Sequence, residues 1–154
     1  MNNQCRLLAV LVLMLKVLTA EAAGCMIDSS SGLNFGEYNV FNSTATDSES
    51  FVVLTCDLLS SPIISIEIGP SATSNTILMR QMQHASSATK LNYNLFIDPA
   101  RTTVWGDYSA GTPLLLTNIN DGSPRQLRVY GRIPPMQNVG VGVYNDFVTV
   151  TVLP

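Results

Sequence analysis

Residues 142–154 read GVYNDFVTVTVLP. From Val148 onward the residues alternate, with Val148, Val150 and Val152 on one side and Thr149 and Thr151 on the other. Successive strand residues point to opposite faces, so this alternation is that of a half-buried β-strand with valine turned inward. The same period recurs upstream. Val52, Leu54 and Cys56 share a face within residues 51–57, and Ile64, Ile66 and Ile68 share one opposite Ser65 and Glu67. Leu91, Tyr93, Leu95 and Ile97 lie opposite Asn92 and Asn94, and Leu127, Val129 and Ile133 lie opposite Gln126, Arg128 and Arg132. Turn-forming residues separate these runs: Gly69-Pro70, Asp98-Pro99, residues 107–111, Asp121-Gly122-Ser123-Pro124 and Pro134-Pro135. Residues 76–83 fit a strand or a single helical turn equally well, and no segment sustains a helical period. The pattern predicts an all-β sandwich of about six to eight strands, with no internal repeat and no domain linker.

The chain has 154 residues, of which 12% are charged and 46% apolar. Residues 1–22 have the layout of an export signal: Arg6, an apolar run over residues 7–15, and Ala20-Glu21-Ala22 as the cleavage pattern. Cleavage after Ala22 defines one domain over residues 23–154, with 6 basic and 10 acidic residues. So few cations in an acidic chain argue against nucleic-acid binding, which needs clustered Lys and Arg on phosphates. The apolar run of the signal is too short to span a bilayer, and nothing after it is long and apolar enough. Ser, Thr and Asn make up 37 of the residues from 23 onward, so hydroxyls and amides rather than charges keep the surface wet. Removing the signal takes Cys5 with it and leaves Cys25 and Cys56, an even pair in an exported chain, which predicts a disulfide.

Motifs for chemistry are sparse. His84 is the single histidine and reads as an exposed loop residue, and two cysteines with one histidine do not make a zinc site. The chain has no GxSxG, no HExxH and no phosphate-binding glycine loop. Asp98 and Asp107 flank Trp105 and could pair as in glycosidases, and Trp105 with Tyr108 near Arg101 could stack on a sugar. Turn formation by the two aspartates and core packing by the tryptophan explain the same residues more simply. The reading is therefore of a non-enzymatic chain with no cofactor, and a small carbohydrate-binding module or hydrolase is kept as an alternative.

An ordered set of segments resembles the spore coat protein U domain family, which includes the subunits of archaic chaperone–usher pili. Leu33-Asn34-Phe35-Gly36-Glu37-Tyr38 looks like the opening strand after the first cysteine, and Leu54-Thr55-Cys56 like the strand carrying the second. Residues 91–98 leading to Arg101 and Val104-Trp105-Gly106-Asp107, then residues 129–134 and 142–152, complete the set. The resemblance implies an immunoglobulin-like sandwich whose final strand is missing, and the chain stops at Pro154 just after the Val148–Val152 strand. It also implies a groove that a periplasmic chaperone and then a neighbouring pilus subunit fill by donating a strand, with an outer-membrane usher as the assembly partner. Leu33, Phe35, Val148, Val150 and Val152 are the expected groove residues. With only Ala23 and Gly24 ahead of Cys25 after cleavage, the subunit is expected to accept a strand rather than offer one. A secreted, non-fibrous coat protein of the same fold is the alternative. Either way the chain is expected to pass through the periplasm to the cell surface or beyond.

Overall fold

The computed structural model describes residues 24–57, 64–117 and 121–153, so the export signal lies outside the described residues. Nine strands form two sheets. They are β1 (Cys25–Ser30), β2 (Thr46–Cys56), β3 (Ile64–Ile68), β4 (Arg80–His84), β5 (Lys90–Phe96), β6 (Leu115–Thr117), β7 (Arg125–Ile133), β8 (Tyr144–Asn145) and β9 (Val150–Leu153). One sheet has the order β1-β2-β7-β5-β4-β8, the other β6-β3-β9, and every pairing is antiparallel. Among the described residues no helix is long and apolar enough to cross a membrane.

The period-two faces turn inward as their spacing predicts. Leu54, Cys56, Ile64 and Ile66 are fully buried, with Val52, Ile68, Leu91, Tyr93, Leu95, Val129 and Ile133 close to it. Cys25 and Cys56 face each other in the β1–β2 register and are joined by a disulfide. On the opposite face of β2 and β7, charge replaces hydrophobicity. Asp47 stands directly across from Arg132, which grips it with two bonds of 2.7 and 2.9 Å. Arg128 reaches Glu49 at 3.1 Å, and Arg101 lies over the Tyr130 ring within 3.4 Å of Asp47. Opposite charges placed across a ladder support its register.

Two expectations are corrected and one open reading is resolved. The first strand is Cys25–Ser30, not residues 33–38, which have no strand ladder. Side chains hold that segment instead: Ser48 Oγ donates to the Asn34 carbonyl, Asn34 Oδ1 accepts the Gly36 amide, and Tyr38 Oη donates to the Pro134 carbonyl. The ambiguous residues 76–83 resolve into a turn up to Met79 followed by β4. His84 closes β4 half-buried rather than sitting in an open loop. Its Nδ1 accepts the Ser86 amide, so Nε2 carries the proton toward the Val141 carbonyl, and its ring meets Tyr144 edge-on at 5.0 Å.

Arg80 is the least expected core residue, being fully buried at the start of β4. Its guanidinium donates to the carbonyls of Ile68, Gly69 and Trp105 at 2.8–3.2 Å and to Asn94 Oδ1 at 2.7 Å. Burial pushes its pKa down to about 10, which still leaves it charged at neutral pH. One side chain thus ties the end of β3 to β4, β5 and the Trp105 segment. The close approach of that segment needs a glycine: a Cβ on Gly106 would fall 1.8 Å from Thr112 Oγ1.

Candidate functional site

Leu33 and Phe35 share one side of the extended segment that follows β1 and pack against the core from its margin. The segment is fixed to β2 at its start, where the Ser31 amide donates to the Phe51 carbonyl at 3.0 Å and Ser50 Oγ donates to the Ser31 carbonyl at 2.7 Å. Leu33 and Phe35 then come so close to β7 that a Cβ on Gly131 would lie 2.8 Å from each. A larger residue there would have to push the ends of the Leu33 and Phe35 side chains aside. Phe35 meets the Tyr93 ring edge-on at 6.0 Å.

Facing this segment is the final stretch of chain. Tyr144–Asn145 pairs with β4 in the larger sheet, and Val150–Leu153 pairs with β3 in the smaller one. Residues 146–149 cross between the sheets, tied by the Ala72 amide on the Phe147 carbonyl and the Gly69 amide on the Thr149 carbonyl. Between the two walls lies an open groove of about 400 Å³. Leu33 and Phe35 line it from one side, Val148 and Val150 from the other, and Val52, Ile68, Met82, Tyr93, Leu95 and Val129 contribute from the core. Val152 is half-buried against the core in β9 but is not among the lining residues.

β9 ends the three-stranded sheet and has β3 as its one ladder partner among the described residues. β1 comes near β9 without a ladder between them among the described residues. An edge of this kind presents backbone N–H and C=O groups in the register of a further strand. A groove with apolar walls beside such an edge can take an extended segment, whose backbone joins the ladder and whose alternate side chains enter the groove.

The residues considered for sugar chemistry do other work. Trp105 is 1% exposed and donates its indole N–H to the Ile66 carbonyl at 2.8 Å, so no stacking face is offered. Tyr108 is 78% exposed, apart from it in accessibility as well as role. The Asp98 carboxylate accepts the amides of Thr102 and Thr103 at 2.7–3.2 Å, and Asp107 accepts the Ser109 amide at 3.0 Å. The Thr102 amide chiefly holds Asp98 below the ordinary carboxylate range, and the Ser109 side chain does the same for Asp107. A glycosidase pair needs one carboxyl kept protonated near neutrality, and both of these are shifted the other way. A second open cavity of about 430 Å³, near Ile77–Met79 and Asp107–Ala110, has Asp107 as its one ionisable lining residue. Among the described residues no cluster of three or more His, Cys, Asp or Glu is placed to hold a metal ion.

Two measurements check these assignments. Trp105 emission is expected to be blue-shifted and insensitive to added mono- or oligosaccharides, and a saccharide-dependent shift would contradict its burial. The second concerns acid. Asp47, bonded by Arg132, and Asp98, Asp107 and Asp121, bonded in turns, are all lowered from 3.8. The folded state therefore binds fewer protons than the unfolded chain. Their stabilisation is complete above about pH 4, near the unfolded value, and is lost as pH falls through the folded values. Urea midpoints between pH 6 and pH 2 should hold steady and then drop below pH 4; a flat profile to pH 2 would contradict this.

Fold and groove together define an all-β sandwich of the immunoglobulin type. The crystal structure of the CsuC–CsuE chaperone–tip adhesion subunit pre-assembly complex, from archaic chaperone-usher Csu pili of Acinetobacter baumannii, contains a chain of similar fold. The TM-score is 0.58 at 19% identity, over 84% of this chain and 38% of that one, so the present chain spans well under half of its length. The sequence matches the Spore Coat Protein U domain over residues 11–151, and the protein belongs to that family. It is also 37% identical over 139 residues to Protein U of Myxococcus xanthus, covering 83% of this chain and 76% of that protein.

Of the five residues that the resemblance implies for a strand groove, Leu33, Phe35, Val148 and Val150 surround this cavity and Val152 does not. Tyr93 reads as core, and Met82 lay in the ambiguous stretch. With Asn145, Asp146 interrupts the apolar alternation between Tyr144 and Val148.

Proposed function

We propose that this protein is an exported structural subunit of a surface pilus, accepting a donor strand in the groove between Leu33-Phe35 and Val148-Val150. The observation that carries the reading is the apolar groove beside the outer edge of β9. Membership of the Spore Coat Protein U domain family supports it, as does the fold shared with a chain of a chaperone–subunit complex. Its partners on this reading are a periplasmic chaperone that fills the groove first, an outer-membrane usher, and a neighbouring subunit whose strand replaces the chaperone. Val152 continues the same strand and would take part through its backbone. The role is one of assembly and adhesion rather than catalysis, and the route runs through the periplasm to the cell surface. Residues 1–22 serve as the export signal and residues 23–154 as the domain. A secreted coat protein that forms no fibre is the second reading, favoured by the family's description and by the likeness to Protein U.

The test is export of the full chain to a periplasm with and without a chaperone from an archaic chaperone–usher system. Recovery as a stoichiometric complex with the chaperone, and recovery without it of only a small, marginally stable fraction of free chain, is the expected result. A stable monomer in both cases, with no complex, would overturn the pilus reading in favour of the self-sufficient coat protein.

A further inference from the structure

The groove lining mixes apolar side chains with the neutral polar ones of Ser30, Ser31, Ser50, Tyr93, Tyr144 and Asn145, and carries charge at one point. Asp146 is its one carboxylate, and no lysine, arginine or histidine lines it. Asp146 stands where the chain leaves β8 and crosses toward β9. Its Oδ2 accepts the Tyr93 hydroxyl at 2.7 Å and its Oδ1 accepts the Thr73 amide at 3.0 Å. Both donors are neutral. Lys90 sends its ammonium to the Thr73 carbonyl at 3.3 Å, and among the described residues none of the ion pairs includes Asp146. A carboxylate has about four acceptor positions, so this one has capacity left for a charged donor.

The remaining described lining residues carry no charge that could tell one register from another. Leu33, Phe35, Val148 and Val150 are all apolar, and a segment displaced by two residues would present the same face to them. A single charge in the groove lining breaks that degeneracy, because a slipped strand leaves the carboxylate without its cation. Resting on the strand-accepting reading, the geometry points to an occupant of defined chemistry: an extended strand of another subunit whose alternating apolar side chains end in a lysine or arginine that pairs with Asp146. The bond formed is charge-assisted and sits at the margin of an apolar cleft, where it is stronger than a neutral hydrogen bond.

The experiment uses the full exported chain and three synthetic peptides of alternating valine and threonine. They differ at one terminal position, which is lysine, glutamine or glutamate. Binding is measured by fluorescence anisotropy to the wild type and to Asp146→Asn. The lysine peptide should bind the wild type about threefold tighter than the glutamine peptide, with glutamate weakest, as expected for one partly exposed charge pair. In Asp146→Asn that preference, read as the ratio of lysine-peptide to glutamine-peptide affinity within the variant, should vanish. If Asp146→Asn does not fold, the wild type alone decides: the lysine preference must shrink as salt rises from about 50 to about 500 mM. Equal binding of all three peptides, a preference for glutamate, or a lysine preference that survives in Asp146→Asn or ignores salt overturns the inference and leaves the groove reading standing. If none of the peptides binds, the groove reading itself fails and this inference goes with it.

Discussion

Arg80→Ala is expected to destabilise the domain by about 4 kcal/mol, since each buried acceptor left without a donor costs about 1–3 kcal/mol. Three backbone carbonyls, those of Ile68, Gly69 and Trp105, lose the guanidinium, and Asn94 Oδ1 keeps the Leu95 amide as its remaining donor. The loss is a large part of the ~5–15 kcal/mol that holds a typical domain together. Arg80→Lys is expected to fall between the wild type and the alanine variant. A lysine keeps the charge but concentrates it on one nitrogen, whereas the acceptors around Arg80 are spread across a planar fork. Urea denaturation of the three proteins measures the effect. Two variants within 1 kcal/mol of the wild type would mean that the carbonyls find water or each other, and that Arg80 does not join the sheets as described.

Filling the groove in cis is expected to have the other large effect, of opposite sign. A strand of about 12 residues, long enough for one ladder, would be joined after Pro154 through a flexible turn and return antiparallel along β9. Each apolar side chain that it seats against Leu33, Phe35, Val148 or Val150 gains ~1 kcal/mol or more after its ordering cost. Four such residues raise the thermal midpoint by ~10 °C or more. A control strand with serine at the inward positions should give little of this, because backbone pairing alone leaves the apolar walls uncovered. Equal midpoints for the apolar fusion and the parent chain would show that the groove does not take a strand.

The parts of the fold that were legible share one property: a buried face that alternates with an exposed one. β2, β3, β5 and β7 show it because each has hydrophobic residues toward the core at every second position. β1 does not. Its Met26 and Ile27 are 65% and 43% exposed, and its place is set by the disulfide and by pairing with β2, neither of which leaves an alternating pattern. The nearby run from Leu33 to Tyr38, which the resemblance marks as the opening strand, packs Leu33 and Phe35 against the core without joining a ladder. Arg80 and Asn94 illustrate the complementary failure. Polar residues in a strand are read as outward, yet these two are buried because they satisfy each other and the surrounding carbonyls. Asp146 belongs with them, as a charge whose partners come from Thr73 and Tyr93, far away in sequence.

The central claim is that the outer edge of β9 and the Leu33-Phe35 wall together receive a strand. Hydrogen exchange of the full chain, with and without a saturating alternating valine–threonine peptide ending in lysine, tests it residue by residue. The account predicts that peptide slows exchange at backbone amides of residues 150–153 and 30–35, with little change along β2 and β7. Binding with protection elsewhere, or with no protection at β9, would contradict it.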